Sequence, residues 1–520
     1  MALLRYSASA DNTITNAFRA NLEASSRATG SNMGYADSVE VFSIYGQVSS
    51  SAGQTQELAR TLIKFPVASI AADRTAGTIP ASGSVNFYLR MFNAEHPFTL
   101  PEDFTLVVAP ITTDWTEGSG LDMDEYKDRG KSNWMRATST KSWTAQGGDY
   151  RSTENKSVKF PLGYEDLETD ITETVENWIE YEANPSNGFA NYGVGVRLQA
   201  SEEAYAVAAV SSSGIIANAS GAKTTYYTKK FFARGTEFFF KRPVIEARWD
   251  SRTTDDRGNM YFSSSVVPQA ENLYTLYYYN YVRGRLRNLP GTTNASGIAN
   301  GKLKVCFYSG SSAPKGDRLA IWNGGTAVTA SLVTGKTGIY SCQVALTAAA
   351  TPVTKVFDVW FTASGGGSPE VATATYTTQS FNIVRIPNYQ SAPTFEYDNT
   401  ITNLRSRYSK NETARFRVFS RDKSWNPNLY VKANSNIPTV VNQSASFAVF
   451  RTIDSLPVIT YGTGSDMHTY MSYDVSGNYC DLNMNLLEPD YMYNIKFAFY
   501  NDSVGGWIEQ PQTFKFRVEE

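Results

Sequence analysis

Thr513-Phe514-Lys515-Phe516-Arg517-Val518 alternates polar and apolar residues without a break. Successive side chains of a β-strand point to opposite faces, so a period of two gives one buried face and one wet face. Working back along the chain, the same signature recurs in Tyr493-Asn-Ile-Lys-Phe-Ala-Phe-Tyr500, Ser446-Phe-Ala-Val-Phe450 and Ala414-Arg-Phe-Arg-Val-Phe419. These strands predict a C-terminal β-sandwich over residues 389–520, a span of ordinary domain size. Leu273-Tyr-Thr-Leu-Tyr-Tyr-Tyr-Asn-Tyr-Val282, Leu303-Lys-Val-Cys-Phe-Tyr308 and Val356-Phe-Asp-Val-Trp-Phe361 predict a second sandwich over 244–388. Its expected limits are the junction Lys241-Arg242-Pro243 and the Pro-containing stretch Pro387-Asn-Tyr-Gln-Ser-Ala-Pro393, with Gly365-Gly-Gly-Ser-Pro369 as an internal loop. Residues 1–243 carry further strands, Ser38–Tyr45, Thr61–Phe65 and Val85–Arg90. They also carry one amphipathic helix, Asp170–Ile179, whose Ile171, Val175, Trp178 and Ile179 fall at helical spacing behind Asp170 as N-cap. The fold class expected is all-β, in tandem sandwich domains.

Composition narrows the function. Across 520 residues, Lys+Arg 47 against Asp+Glu 50 gives a net charge of -3, too little to drive binding to a polyphosphate, so nucleic acid is not expected as a partner. Three cysteines, Cys306, Cys342 and Cys480, are too few for an extracellular disulfide framework and fit no zinc spacing. The two histidines, His96 and His468, stand far apart without recognisable partners, which removes most Ser-His and Cys-His arrangements. Met1-Ala-Leu-Leu4 is too short for a signal-peptide core, and no run approaches the roughly 20 apolar residues of a spanning helix, so a soluble product made in the cytoplasm without membrane insertion is expected.

Five places carry residues that invite specific chemistry. Gly335-Lys336-Thr337 lacks the earlier glycine of a phosphate loop, Ala330 standing in its place, and reads as a hairpin turn. Asp122, Asp124, Glu125 and Asp128 offer hard oxygen ligands to calcium without EF-hand spacing, and a solvated loop is the simpler account. Asp255-Asp256-Arg257-Gly258-Asn259 reads as a turn satisfied by its own side chains. Glu202 and Glu203, adjacent in sequence, read as a solvated loop rather than a glycosidase pair. No catalytic residue, cofactor or metal site is expected, and the chain reads as a non-enzyme. The fifth place is the aromatic and basic run at 274–287. Alternation predicts Tyr277, Tyr279, Tyr281, Arg283, Arg285 and Arg287 on one face, where Tyr and Arg are favoured interface anchors.

The first two fifths of the chain present, in order, Asp11-Asn-Thr-Ile14, Ser31-Asn-Met-Gly-Tyr35, Arg60–Ile70, Ala76-Gly-Thr-Ile79, Val85–Arg90, Thr112-Thr-Asp-Trp-Thr-Glu-Gly118, Asp170–Trp178 and Asn191-Tyr-Gly-Val-Gly-Val-Arg-Leu198. This succession resembles the DNRLRE-type β-sandwich, a jelly-roll module similar to carbohydrate-binding modules, and departs from it in the polar insert Leu121–Gly130. Trp115 and Trp178 are expected in the core and Tyr192-Gly193 at the tight approach to a buried strand. Phe238–Trp249 and Asp255–Tyr261 resemble virion structural proteins of tailed phages. That resemblance implies a collar, neck, tail or head-appendage subunit located in the virion, forming a homo-oligomer and binding other virion proteins of the capsid, neck or tail. The alternative implied by the first module is a carbohydrate-binding adhesin for host surface glycans.

Overall fold

The computed structural model describes the chain apart from residues 1, 20–26, 46–55, 96–100, 122–130, 224–226, 291–301, 323–324, 334–335, 348–352, 354, 364–370, 385–396, 426–438 and 502–503. Strands dominate it, as the alternation requires: in the strand Phe514–Glu519, Phe516 and Val518 are buried while Lys515 and Arg517 are exposed. The fold is all-β and multidomain, and it divides into two compact units, Ala2–Trp249 and Asp250–Glu520.

The first unit runs β1 (Leu3–Ser7), β2 (Ala10–Thr15), β3 (Ser38–Tyr45), β4 (Gln56–Lys64), α1 (Val67–Thr75), β5 (Asn86–Met91), β6 (Phe104–Pro110), β7 (Lys156–Phe160), β8 (Leu167–Asp170), α2 (Thr172–Ala183), β9 (Val194–Leu198), β10 (Tyr227–Phe232) and β11 (Val244–Arg248). One sheet has the order β1-β11-β5-β8; the other has β10-β3-β4-β9-β6-β7, with β2 added on β4. Tyr6, Phe87, Leu89, Ile245 and Ala247 of the first sheet meet Val39, Ile63, Phe104, Leu106, Val194 and Val196 of the second in one core. Each of the Val, Leu, Ile and Phe side chains, taken fully out of water, stabilises by roughly 1.5–3 kcal/mol. A second apolar cluster lies on the other side of β2 and β4, where Ile14, Leu58 and Leu62 pack with Trp115, Trp134 and Trp143 from the long connections.

The expected helix is present as α2, shifted to Thr172–Ala183. Ile171 occupies the cap position, and Asp170 Oδ1 accepts the Thr172 N–H at 2.8 Å. Val175, Trp178 and Ile179 face the core, and the chain leaves the helix at Asn184, whose extended backbone suits the residue before Pro185. A single helix was expected; α1 is a second one. It presents Val67 and Ile70 to the core and is tied to α2 by Arg74, whose guanidinium reaches Glu176 Oε1 at 2.7 Å.

The boundary expected at 243/244 is displaced to 249/250. β11 lies between β1 and β5, with Leu3 opposite Arg248 and Val244 opposite Arg90, so cutting before Val244 would remove a central strand. Pro243 is tolerated because it precedes that strand and has no ladder hydrogen bond to lose.

The second unit contains both remaining sets of sheets. In the first set, β12 (Tyr274–Tyr279) pairs with Ile339–Val344, and Leu303–Ser309 pairs with Lys355–Ala363, around a core of Leu276, Tyr278, Phe307, Tyr340 and Trp360. In the second set, Thr413–Asp422 pairs with Gly477–Asn483, and Met492–Asn501 with Ala445–Arg451 and Phe514–Glu519. The two sets touch where Thr254 bridges Tyr473 and where the Tyr473 hydroxyl donates to Asp256 at 2.9 Å. The stretch Pro387–Pro393 and the loop Gly365–Pro369 lie outside the described residues.

Candidate interaction surface

The aromatic and basic run divides into two environments. In β12, Leu276 and Tyr278 face the core, with the Tyr278 ring 5.6 Å from Trp360 and 6.2 Å from Tyr340. Tyr277 and Tyr279 take the opposite face, but that face is not free. Their rings lie 6.4 Å apart, the hydroxyls of Tyr279 and Tyr479 are 3.3 Å apart, and the Arg257 guanidinium donates to the Tyr277 carbonyl at 2.9 Å. Burial, then the neighbouring Tyr479 and Asp255, pushes the Tyr277 phenol up to about 12. Burial and the bond to Tyr479 raise Tyr279 further. Both tyrosines therefore join the two sets of sheets within the second unit.

At Asn280 the run changes character. The Asn280 side-chain amide donates to the Arg287 carbonyl at 2.7 Å and the Asn280 backbone carbonyl accepts the Arg287 N–H at 3.0 Å, closing the base of a ribbon. The ribbon consists of β13 (Tyr281–Val282) and β14 (Arg285–Leu286), with Tyr281 opposite Leu286 and Val282 opposite Arg285. Arg283 and Gly284 make the turn with φ of 52° and 75°, the left-handed pair that a two-residue hairpin needs to match strand twist. Tyr281 is 58% exposed and Val282 47%, and Arg283, Arg285 and Arg287 are exposed. No carboxylate pairs with these three arginines among the described residues.

The expected single face of six residues is thus corrected to two surfaces. Alternation counted through the turn puts Tyr281 and Arg285 on one face, but the turn reverses the chain and pairs Arg285 with Val282, so the two stand on opposite sides of the ribbon. Sequence reasoning also missed Tyr479, which packs against Tyr279 from 200 residues away and carries the Arg415 and Arg417 guanidinium groups 4.6 and 5.0 Å from its ring centre. Tyr479 lies in the strand Gly477–Asn483, which is not among the strands expected from sequence, and nothing local to it marks its distant partner.

The other candidates resolve individually. Asp255 caps a short turn by accepting the Arg257 N–H at 3.1 Å and also pairs with the Arg257 guanidinium; burial raises its carboxyl to about 6. Asp256 accepts the Thr275 N–H at 2.6 Å as well as the Tyr473 hydroxyl. Lys336 and Thr337 lie between the paired strands Ser331–Leu332 and Ile339–Val344, in keeping with a hairpin connection, while Gly335 is outside the described residues. His468 is buried with Nδ1 3.0 Å from the Asp466 carbonyl. Asp122, Asp124, Glu125, Asp128 and His96 lie outside the described residues, among which no three His, Cys, Asp or Glu side chains cluster as metal ligands. Glu203 is not solvated: it is buried and holds Arg60 through two bonds of 2.9 and 2.8 Å. Glu202 accepts the Thr105 N–H at 2.9 Å. Trp115 and Trp178 are buried at 1% and 0% exposure, and Gly193, at φ 82°, approaches Ile63 so closely that a Cβ would sit 2.0 Å from its carbonyl oxygen.

No family model matches the chain, and no curated protein matches it. Among solved structures, it aligns with the native Escherichia coli alpha-2-macroglobulin at 10% identity and a TM-score of 0.16, over 92% of this chain and 32% of that one. It also aligns with a DUF4785 family protein of Legionella pneumophila at 7% identity and a TM-score of 0.13, over 100% of this chain and 90% of that one. Salmonella alpha-2-macroglobulin gives 10% identity and a TM-score of 0.14, over 100% of this chain and 34% of that one. The chain therefore spans about a third of the macroglobulins' length. No functional argument rests on alignments at these scores.

Proposed function

We propose that the chain is a non-enzymatic structural subunit of a tailed-phage particle, in the collar, neck, tail or a head appendage, acting by symmetric self-association and by docking onto neighbouring virion proteins. The observation that carries the reading is the ribbon Tyr281–Leu286: an exposed aromatic and an exposed valine beside three arginines with no carboxylate partner among the described residues. Tyrosine supplies contact area at low entropic cost, and arginine supplies a fork for carboxylates of a partner surface. The partner is a second copy or another virion protein presenting acidic side chains. Several such contacts repeated by symmetry give strong association from weak individual contacts. An adhesin that stacked sugars on the tryptophans of the first module would need those rings in solvent, and Trp115, Trp134, Trp143 and Trp178 are buried.

Mass photometry of the full-length protein, with particle proteomics, tests the reading. A closed oligomer that dissociates in the Tyr281→Ser, Arg283→Ser, Arg285→Ser triple variant is expected. A strict monomer absent from purified particles refutes it.

A further inference from the structure

The first unit carries a cleft of about 630 Å³ on the side of β4 and β9 away from the main core. Arg60, Arg151, Arg197, Asp149 and Tyr150 line it. Arg60 and Arg197 come from adjacent antiparallel strands, next to the paired Thr61 and Val196, so two guanidinium groups are brought side by side. Like charges in a low-dielectric setting repel, and each needs its own counter-charge. Arg60 has one. Its Nε and Nη2 engage both oxygens of buried Glu203, and its Nη1 donates to the Gly147 carbonyl at 3.1 Å.

Arg197 has no ion pair of its own among the described residues: Glu203 favours its charge, but both Glu203 oxygens are held by Arg60. The Arg197 Nη1 has only a 3.5 Å contact with the Leu198 carbonyl, and its buried Nε has no hydrogen-bond partner. The guanidinium lies 5.6 Å from the centre of the Tyr150 ring, which rests directly over Gly195 of the same strand. Burial and the proximity of Arg60 both disfavour its charge. The group Arg60, Glu203 and Arg197 thus sums to one excess positive charge, beside an open cleft.

The rest of the lining does not supply the missing anion. Asp149 is turned away: Oδ2 accepts from the Thr113 hydroxyl at 2.8 Å and the Thr144 N–H at 3.0 Å, and Oδ1 accepts from the Ala145 N–H at 2.9 Å. Arg151 is paired with Glu154 at 2.9 Å and stacks on Phe189. Ser152 and Asn155 add neutral polar groups to the wall.

We propose that this cleft binds an oxyanion through Arg197, the shared chemistry of free phosphate or sulfate and of the carboxylate on an acidic saccharide. A planar guanidinium pairs with two oxygens at once, and Arg197, which lines the cleft, has no carboxylate of its own among the described residues to occupy that fork. The volume is in the range of small-molecule sites and holds a sugar ring. The inference concerns the first unit and is independent of the assembly reading.

Calorimetric titration of the full-length protein with sodium glucuronate, phosphate and sulfate, with glucose and sodium chloride as controls at matched ionic strength, tests it. Saturable binding of at least one oxyanion is expected, with none for glucose. Tighter glucuronate than phosphate or sulfate identifies a saccharide site, and equal or weaker glucuronate a free-ion site. Arg197→Gln is expected to weaken the oxyanion about tenfold or more, the size of a lost charged hydrogen bond. It should also leave the ligand-free melting temperature unchanged or higher, because it removes a half-buried charge that has no ion pair among the described residues. Arg197→Lys, which keeps the charge and loses the fork, guards against misfolding of the first variant and is expected to bind several-fold more weakly than wild type. An oxyanion response no larger than that of chloride, or wild-type affinity in either variant, overturns the proposal.

Discussion

Replacing Glu246 by Gln removes the centre of a charge cluster on the sheet β1-β11-β5-β8. The Glu246 carboxylate receives Arg5 Nε at 2.8 Å, Arg90 Nη1 at 3.1 Å, and Arg248 Nε at 3.0 Å and Nη2 at 2.6 Å. Burial alone would raise this carboxyl; Arg5, Arg90 and Arg248 overcome that effect and hold it far below the usual carboxylate range. In the variant all three guanidinium groups lose the Glu246 charge, while Arg90 and Arg248 keep Glu168, whose side chain is 41% exposed. Breaking one partner out of a buried ionic group costs about 3–5 kcal/mol. For a unit of this size that corresponds to a fall of roughly 6–20 °C in its calorimetric melting temperature. The pH dependence has a definite sign. A depressed folded-state pKa contributes stability that is complete above the unfolded value of 4.5 and is lost as pH falls toward the folded value. The difference between wild type and variant should therefore shrink by about 2 kcal/mol between pH 7 and pH 3. A loss below about 1 kcal/mol at pH 7, or the same loss at both pH values, would refute the reasoning.

Asp11 should behave in the opposite sense. Burial, with Glu117 nearby, raises its carboxyl to about 7, so the stability it contributes is complete below 3.8 and is lost as pH rises through about 7. Asp11→Asn should flatten this slope, worth up to roughly 4 kcal/mol, in urea titrations run from pH 4 to 8. Gly193→Ala combines left-handed backbone, roughly 1–3 kcal/mol, with a clash against the Ile63 carbonyl, and should sharply lower the melting temperature of the first unit; wild-type stability would contradict the close approach. Tyr279→Phe should cost the second unit about 1 kcal/mol by deleting the hydroxyl contact with Tyr479 and, in a double-mutant cycle with Tyr479→Phe, show coupling.

Strands were legible wherever one face is buried, because the period of two then appears directly in residue type, as at Phe514, Phe516 and Val518. Trp178 was legible for the related reason that Val175, Trp178 and Ile179 share one side of α2, with Ile171 at its cap. Helix α1 escaped because only Val67 and Ile70 of its nine residues are buried, leaving too short a stripe to stand out after β4. The run at 274–287 was recognised as a surface but not as two, since a turn interrupts the alternation and Tyr479 lies 200 residues away. The same long separation hid Arg60 and Glu203, 143 residues apart, which adjacency with Glu202 made resemble solvated loop acids. Sequence pattern reports which face is buried; it does not report which distant side chain meets it there.

The pairing of β1 with β11 has a mechanical corollary. Leu3 lies opposite Arg248 and Ser7 opposite Val244, so the chain enters and leaves the first unit at the same end of one antiparallel ladder. Tension applied between Ala2 and Trp249 pulls across the strands, along the direction of the ladder hydrogen bonds, and loads them one after another from that end. The unit would open under load like a zipper, at low force, whereas tension entering through an edge strand at the far end would have to shear a whole ladder at once.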